Sequence, residues 1–315
     1  MPRLSLARRT LIMLAAAAAV SSVAAHAQHS APLHVILPLS PGSGVDVITR
    51  SAQEALSRAF DGQSVVIENR PGSGGVIGTQ ALVRARPDGT TVGIISNNHS
   101  VNPAVLKNLP YDSLADVTPI SIIGGSPFIF VVNPDKVPAR TAAELQAYLK
   151  TRPNELNFGS AGNGTIIHLA GEMFLQAAGV QADHIPYRGT GPMVVDLLGG
   201  QIEMGVASLD AVQGHLRSGK LHAIGVMGRQ RLKSMPEIPT FVEQGFPDVD
   251  VAGWFAVVGP KGLPAEHVQR IHAGFVKAFN DPQVQAGFAS RDNFLMLNTP
   301  EQAADFLRTE QSRYA

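Results

Sequence analysis

Three stretches of the sequence place glycine beside small hydroxyl residues just ahead of a helical pattern: Ser40-Pro-Gly-Ser-Gly44, Arg70-Pro-Gly-Ser-Gly-Gly75 and Ser160-Ala-Gly-Asn-Gly-Thr165. A helix start offers unpaired amides and about half a positive charge. Glycine lets an anion approach that backbone, and a Ser or Thr hydroxyl adds a hydrogen bond. The chemistry is capture of a carboxylate or phosphate. One Gly-rich turn is usually only a tight turn, but three in one chain point to a site. The first and third are the better candidates, because Ser and Thr flank them.

Other chemistries fit less well. Gly72-Ser-Gly74 with Gly78 imitates a dinucleotide fingerprint, but the next strand ends Ile95-Ser-Asn97 without the ribose-gripping acid. Gly214 to Lys220 has phosphate-loop spacing, yet Leu221 follows in place of Ser or Thr and a strand in place of a helix. His168 and Glu172 share a helix face but have no third metal ligand nearby. Ser160 lacks the G-x-S-x-G elbow of hydrolases. Cysteine is absent, which excludes disulfides, thiolate-held metals and thiol catalysis.

The elements that position the loops alternate. Apolar strands at 34–39, 64–68 and 91–95 are separated by helices expected at 45–60 and 76–86. Strands at 120–123 and 128–132 follow. Thr141-Ala-Ala-Glu144 is a capping box at a helix start. The pattern restarts with a strand at 156–158, a helix at 166–178, a strand at 184–187 and a helix from Pro192. Strands at 204–207 and 222–226 flank a helix at 211–217. After Trp254 come a strand at 256–258, a helix at 264–280 and a last helix opened by Thr299-Pro-Glu-Gln302. The reading is α/β, with two mostly parallel units, each flanked by helices.

The 315 residues include 25 basic and 25 acidic ones, and 44% are apolar, a composition that folds. Arg3, Arg8 and Arg9, the apolar stretch from Leu11 to Val23 and Ala25-His-Ala27 have the grammar of a secretory signal, residues 1–27. Without it the chain carries 22 bases against 25 acids, which gives no reason to expect nucleic acid. The expectation is export, by either the general or the twin-arginine route.

Pro38-Leu-Ser-Pro-Gly-Ser-Gly-Val-Asp46, Glu68-Asn-Arg-Pro-Gly-Ser-Gly-Gly75, Arg86-Pro-Asp-Gly89, Phe158-Gly-Ser-Ala-Gly-Asn-Gly-Thr165, His168-Leu-Ala-Gly-Glu172, Pro186-Tyr-Arg-Gly189, Asp196-Leu-Leu-Gly-Gly-Gln201 and Pro236-Glu-Ile-Pro-Thr240 occur in order. Together they resemble the substrate-binding receptors of tripartite tricarboxylate transporters, the Bug-type periplasmic binding proteins. The resemblance implies a type II-like two-lobed fold with the ligand in the cleft. Lobe 1 would comprise residues 31–126 and 252–315, and lobe 2 residues 127–251. It also implies that Ser160, Gly162, Asn163, Gly164 and Thr165 hold a ligand carboxylate. Pro41, Gly42, Ser43 and Gly44 would assist through water, and the segment Asn97, Asn98, His99 and Ser100 would line the cleft.

The departures carry information too. Many relatives place Phe-Asp after the Gly-Gly-Gln strand, the Asp gripping a ligand ammonium in amino-acid binders. Here Val206-Ala207 stands there, followed by Ser208. A buried ammonium without a counter-ion is costly, so Ala207 and Ser208 argue for a ligand lacking an amine, with Asp210 capping the next helix. The short end after Arg313 implies a truncated or frayed last helix. The expected function is capture of a small organic carboxylate for a permease or sensor, by a monomer with no cofactor, metal or catalytic residues. The rival is a secreted α/β hydrolase or transferase with the same loops as an oxyanion site.

Overall fold

The first strand, β1 (Leu33–Leu37), is an apolar run whose Leu33, Val35 and Leu37 are fully buried. The structure is a computed structural model that describes residues 31–314. The expected signal, 1–27, lies outside the described residues. β1 pairs in parallel with β2 (Val65–Asn69) and β3 (Thr91–Ser96). Helices α1 (Gly44–Ser51) and α2 (Gln53–Ala59) join β1 to β2, and α3 (Val76–Val83) joins β2 to β3. The single helix expected over 45–60 is broken at Ala52. There Thr49 Oγ1 donates to the Val45 carbonyl and Ser51 Oγ to that of Ile48, competing with the backbone ladder.

A further helix, α4 (Asn97–Val105), starts directly after β3. The chain then enters β4 (Val117–Val132), one strand of 16 residues where two short ones were expected. Gly124 and Gly125 lie inside the strand. A Cβ on Gly124 would lie 1.9 Å from the Phe294 carbonyl oxygen, so glycine admits the short strand β10 (Phe294–Leu295) alongside.

β4 belongs to both halves. Its first part pairs with β9 (Ala252–Pro260), and its second with β7 (Met204–Ser208) and β8 (His222–Val226). The second half adds α5 (Ala142–Lys150), β5 (Asn157–Ser160), α6 (Ile166–Ala178), β6 (Asp183–Pro186), α7 (Thr190–Leu198) and α8 (Leu209–Arg217). β9 returns the chain to the first half, followed by α9 (Ala265–Phe279), α10 (Pro282–Ala289), β10 and α11 (Pro300–Tyr314). The strand order is β2-β1-β3-β9-β4-β7-β5-β6, with β8 and β10 also on β4. Between the strands described, β1 pairs in parallel with β2 and β3, and β5 with β6 and β7. β4 and β9 carry the chain between halves in opposite directions, so their pairs are antiparallel and each sheet is mixed rather than mostly parallel.

Each half has its own core. Leu33, Ile48, Leu56, Phe275 and Phe279 pack in one, and Phe130, Phe158, Phe174 and Phe241 in the other. The last helix is not frayed up to Tyr314. Thr299 and Gln302 form a reciprocal capping box, Leu307 is fully buried, and Glu310 accepts a 2.6 Å hydrogen bond from the Trp254 indole.

Candidate functional site

Five helix starts converge on one cavity between the halves. Ser43, Gly44 and Val45 open α1, and Ser96, Asn97 and Asn98 open α4. From the other half come Ile166 and Ile167 of α6, Thr190 of α7 and Ser208 before α8. Leu39, Phe128, Ala161 and Phe255 complete the wall, and none of the lining side chains is charged. The cavity encloses about 30 Å³, where one water needs about 10–15 Å³.

Two hydroxyls are left free there. Ser43 and Ser208 are the N-cap residues of α1 and α8 and are 3% and 4% exposed, and their hydroxyls make neither a capping bond nor any other hydrogen bond. Ser208 lies close to the start of α1, since a Cβ on Gly44 would lie 2.8 Å from Ser208 Oγ. The first loop is held by Asp46, whose buried carboxylate accepts from the Gly42 amide, Arg50 Nε and Asn69 Nδ2.

The Ser160–Thr165 loop is arranged differently from the expectation. Thr165 Oγ1 donates to the Gly162 carbonyl at 2.8 Å and caps the His168 amide, so its one proton is taken. Ser160 Oγ accepts from the Gly162 amide and lies 2.6 Å from His184 Nε2. The Gly164 amide donates to His168 Nδ1, and the rings of His168 and His184 stack 3.7 Å apart. Burial, and then the facing His168, hold His184 down at about 4. Asn163 points to solvent. These side chains brace the loop, and Ala161 alone of residues 160–165 lines the cavity.

Of the other expected residues, Ser43, Gly44, Asn97 and Ser208 meet at the cavity. Pro41 and Gly42 are exposed, and Ser100 is buried away from the lining. His99 faces the other way: its Nε2 donates to the Ser113 carbonyl and its ring stacks on Tyr111. Burial lowers its pKa to about 4. Ala207 packs into the second half's core, because alternate residues of β7 face opposite ways and Ser208 takes the cleft. Asp210 does not cap its helix start. Its fully enclosed carboxylate accepts from Ser126 Oγ at 2.6 Å and Asn293 Nδ2 at 2.8 Å. The Arg70–Gly75 loop lies outside the lining, its Gly74 carbonyl accepting from Asn102.

Sequence reasoning missed Phe128, Phe255 and Thr190. Thr190 had a signal, since Tyr187-Arg-Gly-Thr190 is a fourth glycine-led helix start; the two Phe residues resemble any core aromatic. The closed arrangement is held across the cleft by Asn98 Oδ1 on the Ile166 amide and by Asp292 on the Ser234 amide.

The two halves joined by β4 and β9, with helix starts facing a shared cleft, are the two-lobed periplasmic binding fold. The model of the tripartite tricarboxylate transporter family receptor matches residues 48–314. Protein BugT of Bordetella pertussis is 34% identical over 306 residues, 96% of this chain and 93% of BugT. The structure of the periplasmic binding protein BugD superposes with a TM-score of 0.86 at 29% identity, covering 90% of this chain and 95% of that one. An R. palustris protein solved with adipate gives 0.85 at 26% identity, covering 90% and 94%. The chain belongs to the tripartite tricarboxylate transporter receptor family and is a solute-binding receptor of the Bug type. The hydrolase alternative has no support; Ser160 Oγ, though close to His184, is fully buried and bonded within its loop.

Proposed function

We propose that this receptor captures a small organic carboxylate in the periplasm and passes it to a membrane transporter, without chemical change. The observation that carries the reading is the pair of buried, unpaired hydroxyls, Ser43 and Ser208, at two facing helix starts in a cavity without charged side chains. Helix dipoles and hydroxyls suit an anion there, and a carboxylate needs no counter-ion when it accepts several such bonds. The adipate held by the R. palustris relative supports the same class.

Residues 31–126 with 252–315 act as one lobe and 127–251 as the other, β4 and β9 forming the hinge. Ser43, Gly44, Asn97 and Ser208 contact the ligand, while Ser160, Gly162, Gly164 and Thr165 hold their loop in shape. Residues 1–27 are removed on export, which a mature N-terminus at Gln28 by mass spectrometry would bear out. Among the described residues no helix is long and apolar enough to cross a membrane.

The test is a thermal-shift screen of the mature chain against small carboxylates. A ligand at a hundredfold its Kd adds about 2.7 kcal/mol to stability. A shift with at least one acid, and none with matched amines or sugars, supports the reading. Shifts confined to non-acids would end it.

A further inference from the structure

We propose that the ligand carries one carboxylate on an apolar body, with the carboxylate held between the starts of α1 and α8 by Ser43 and Ser208. This deepens the carboxylate-receptor reading and rests on it.

The donors of the cleft are unequally spent. On the α6 side the Gly162, Gly164, Thr165, Ile166 and His168 amides already donate, to Ser160 Oγ, His168 Nδ1, the Gly162 carbonyl, Asn98 Oδ1 and Thr165 Oγ1. The Asn97 side chain is spent as well, donating to the Ala252 carbonyl and accepting from the Trp254 amide. At α1 and α8 the hydroxyls of Ser43 and Ser208 are free, and the Gly44 and Leu209 amides have no acceptor among the described residues. A carboxylate brought to this end gains donors without displacing any bond, but it also approaches Asp210, whose Oδ2 would lie 3.4 Å from a Cβ on Gly44 and is engaged by Ser126 Oγ. At the Gly162–Thr165 loop it would have to break existing bonds.

The remaining walls are of another character. Leu39, Phe128, Ala161, Ile166, Ile167 and Phe255 face the cavity. A second carboxylate against them would lose its hydration and gain no cation, a large cost. An aromatic ring or branched alkyl group would instead bury its surface. Thr190 and the Asn98 amide group serve at most one neutral polar substituent. Asp210 supplies no ammonium partner, because Ser126 and Asn293 engage its two oxygens and it is absent from the lining.

Calorimetry on the full mature chain tests this with benzoate, 3-methylbutanoate, succinate and adipate, and with the variants Ser43→Ala and Ser208→Ala. Neither hydroxyl caps its helix, so both variants keep the fold, as melting in the absence of acid will show. The expected result is a monoacid binding at least about tenfold tighter than either diacid. Each variant should lose about tenfold or more of that affinity, as for one hydrogen bond to a charged group. Tighter binding of succinate or adipate overturns the single-carboxylate inference and leaves the receptor reading standing. Monoacid binding untouched by both substitutions overturns the placement at α1 and α8. Binding of none of the four acids counts against the inference and the carboxylate reading together.

Discussion

Asn98 Oδ1 accepts a 2.9 Å hydrogen bond from the Ile166 amide, so a residue of one half caps a helix of the other. Parting of the two halves would break this bond. Asn98→Ala removes it, and loss of a cap costs about 0.5–2 kcal/mol. If that energy falls on closure, ligand affinity drops by about two- to thirtyfold, with the ligand-free melting temperature changed little. Calorimetry and a thermal melt check both; equal affinity in the variant would show that this contact does not contribute to closure.

Gly44 sits where the two halves approach most tightly at the candidate anion end. Gly44→Ala places a Cβ 2.8 Å from Ser208 Oγ and 3.0 Å from its Cβ, inside normal contact. Each half should fold as before, since Ala is a better helix residue than Gly. The closed form should be obstructed, with affinity down about tenfold or more, as for a strain of 1–3 kcal/mol. Wild-type affinity in this variant would mean the halves need not approach so closely.

Two histidines set an acid limit on the fold. His99 and His184 have pKa values near 4, each lowered first by burial. His99 Nε2 donates to Ser113, so protonation would place a second N–H on the buried, unpartnered Nδ1. Above about 6.5 both rings are neutral in the folded and unfolded chain. Between about 6.5 and 4 the unfolded chain takes up protons that the folded one refuses, so stability falls with pH and levels off lower. Asp210, pushed up by burial, works the other way. Urea unfolding at pH 7.5, 5.5 and 4.5 should show the decline, up to about 3 kcal/mol from His99. His99→Gln should flatten it; an unchanged slope would assign the decline to other groups.

The one tryptophan reports on the C-terminal helix. Glu310 is 9% exposed and accepts from the Trp254 indole on β9. Glu310→Ala leaves that buried N–H without a partner, a loss of about 1–3 kcal/mol. Urea unfolding followed by Trp254 fluorescence should move accordingly, and Glu310→Gln, which keeps an acceptor, should recover most of it. Equal stability of the Ala variant would show that water replaces the carboxylate.

The strand–loop–helix order was legible because buried strands such as Leu33–Leu37 are continuous apolar runs and helices such as Ala265–Phe279 repeat at helical spacing. Helix Asn97–Val105 was not, since its Asn-Asn-His-Ser opening has no apolar period and Pro103 lies inside it. The continuity of β4 between the two expected strands was not legible, since Gly124 and Gly125 carry no apolar side chain and their role is to admit a close strand neighbour in space. At the site, glycine-led helix starts identified Ser43 and Gly44. Sequence could not show that Thr165 and Ser160 spend their hydroxyls inside their own loop, because that depends on where His168 and His184 fold back. Nor could it tell that β7 turns Ser208 and not Ala207 to the cleft, a matter of one residue of register.

The central claim is that an organic acid is captured by closure of the two halves. Small-angle X-ray scattering of the mature chain, without and with a saturating acid taken from the thermal-shift screen, tests it most directly. The account predicts a smaller radius of gyration with the acid, converging on the scattering of the closed arrangement described above, and a ligand-free curve that is broader. Identical curves at saturation would contradict it.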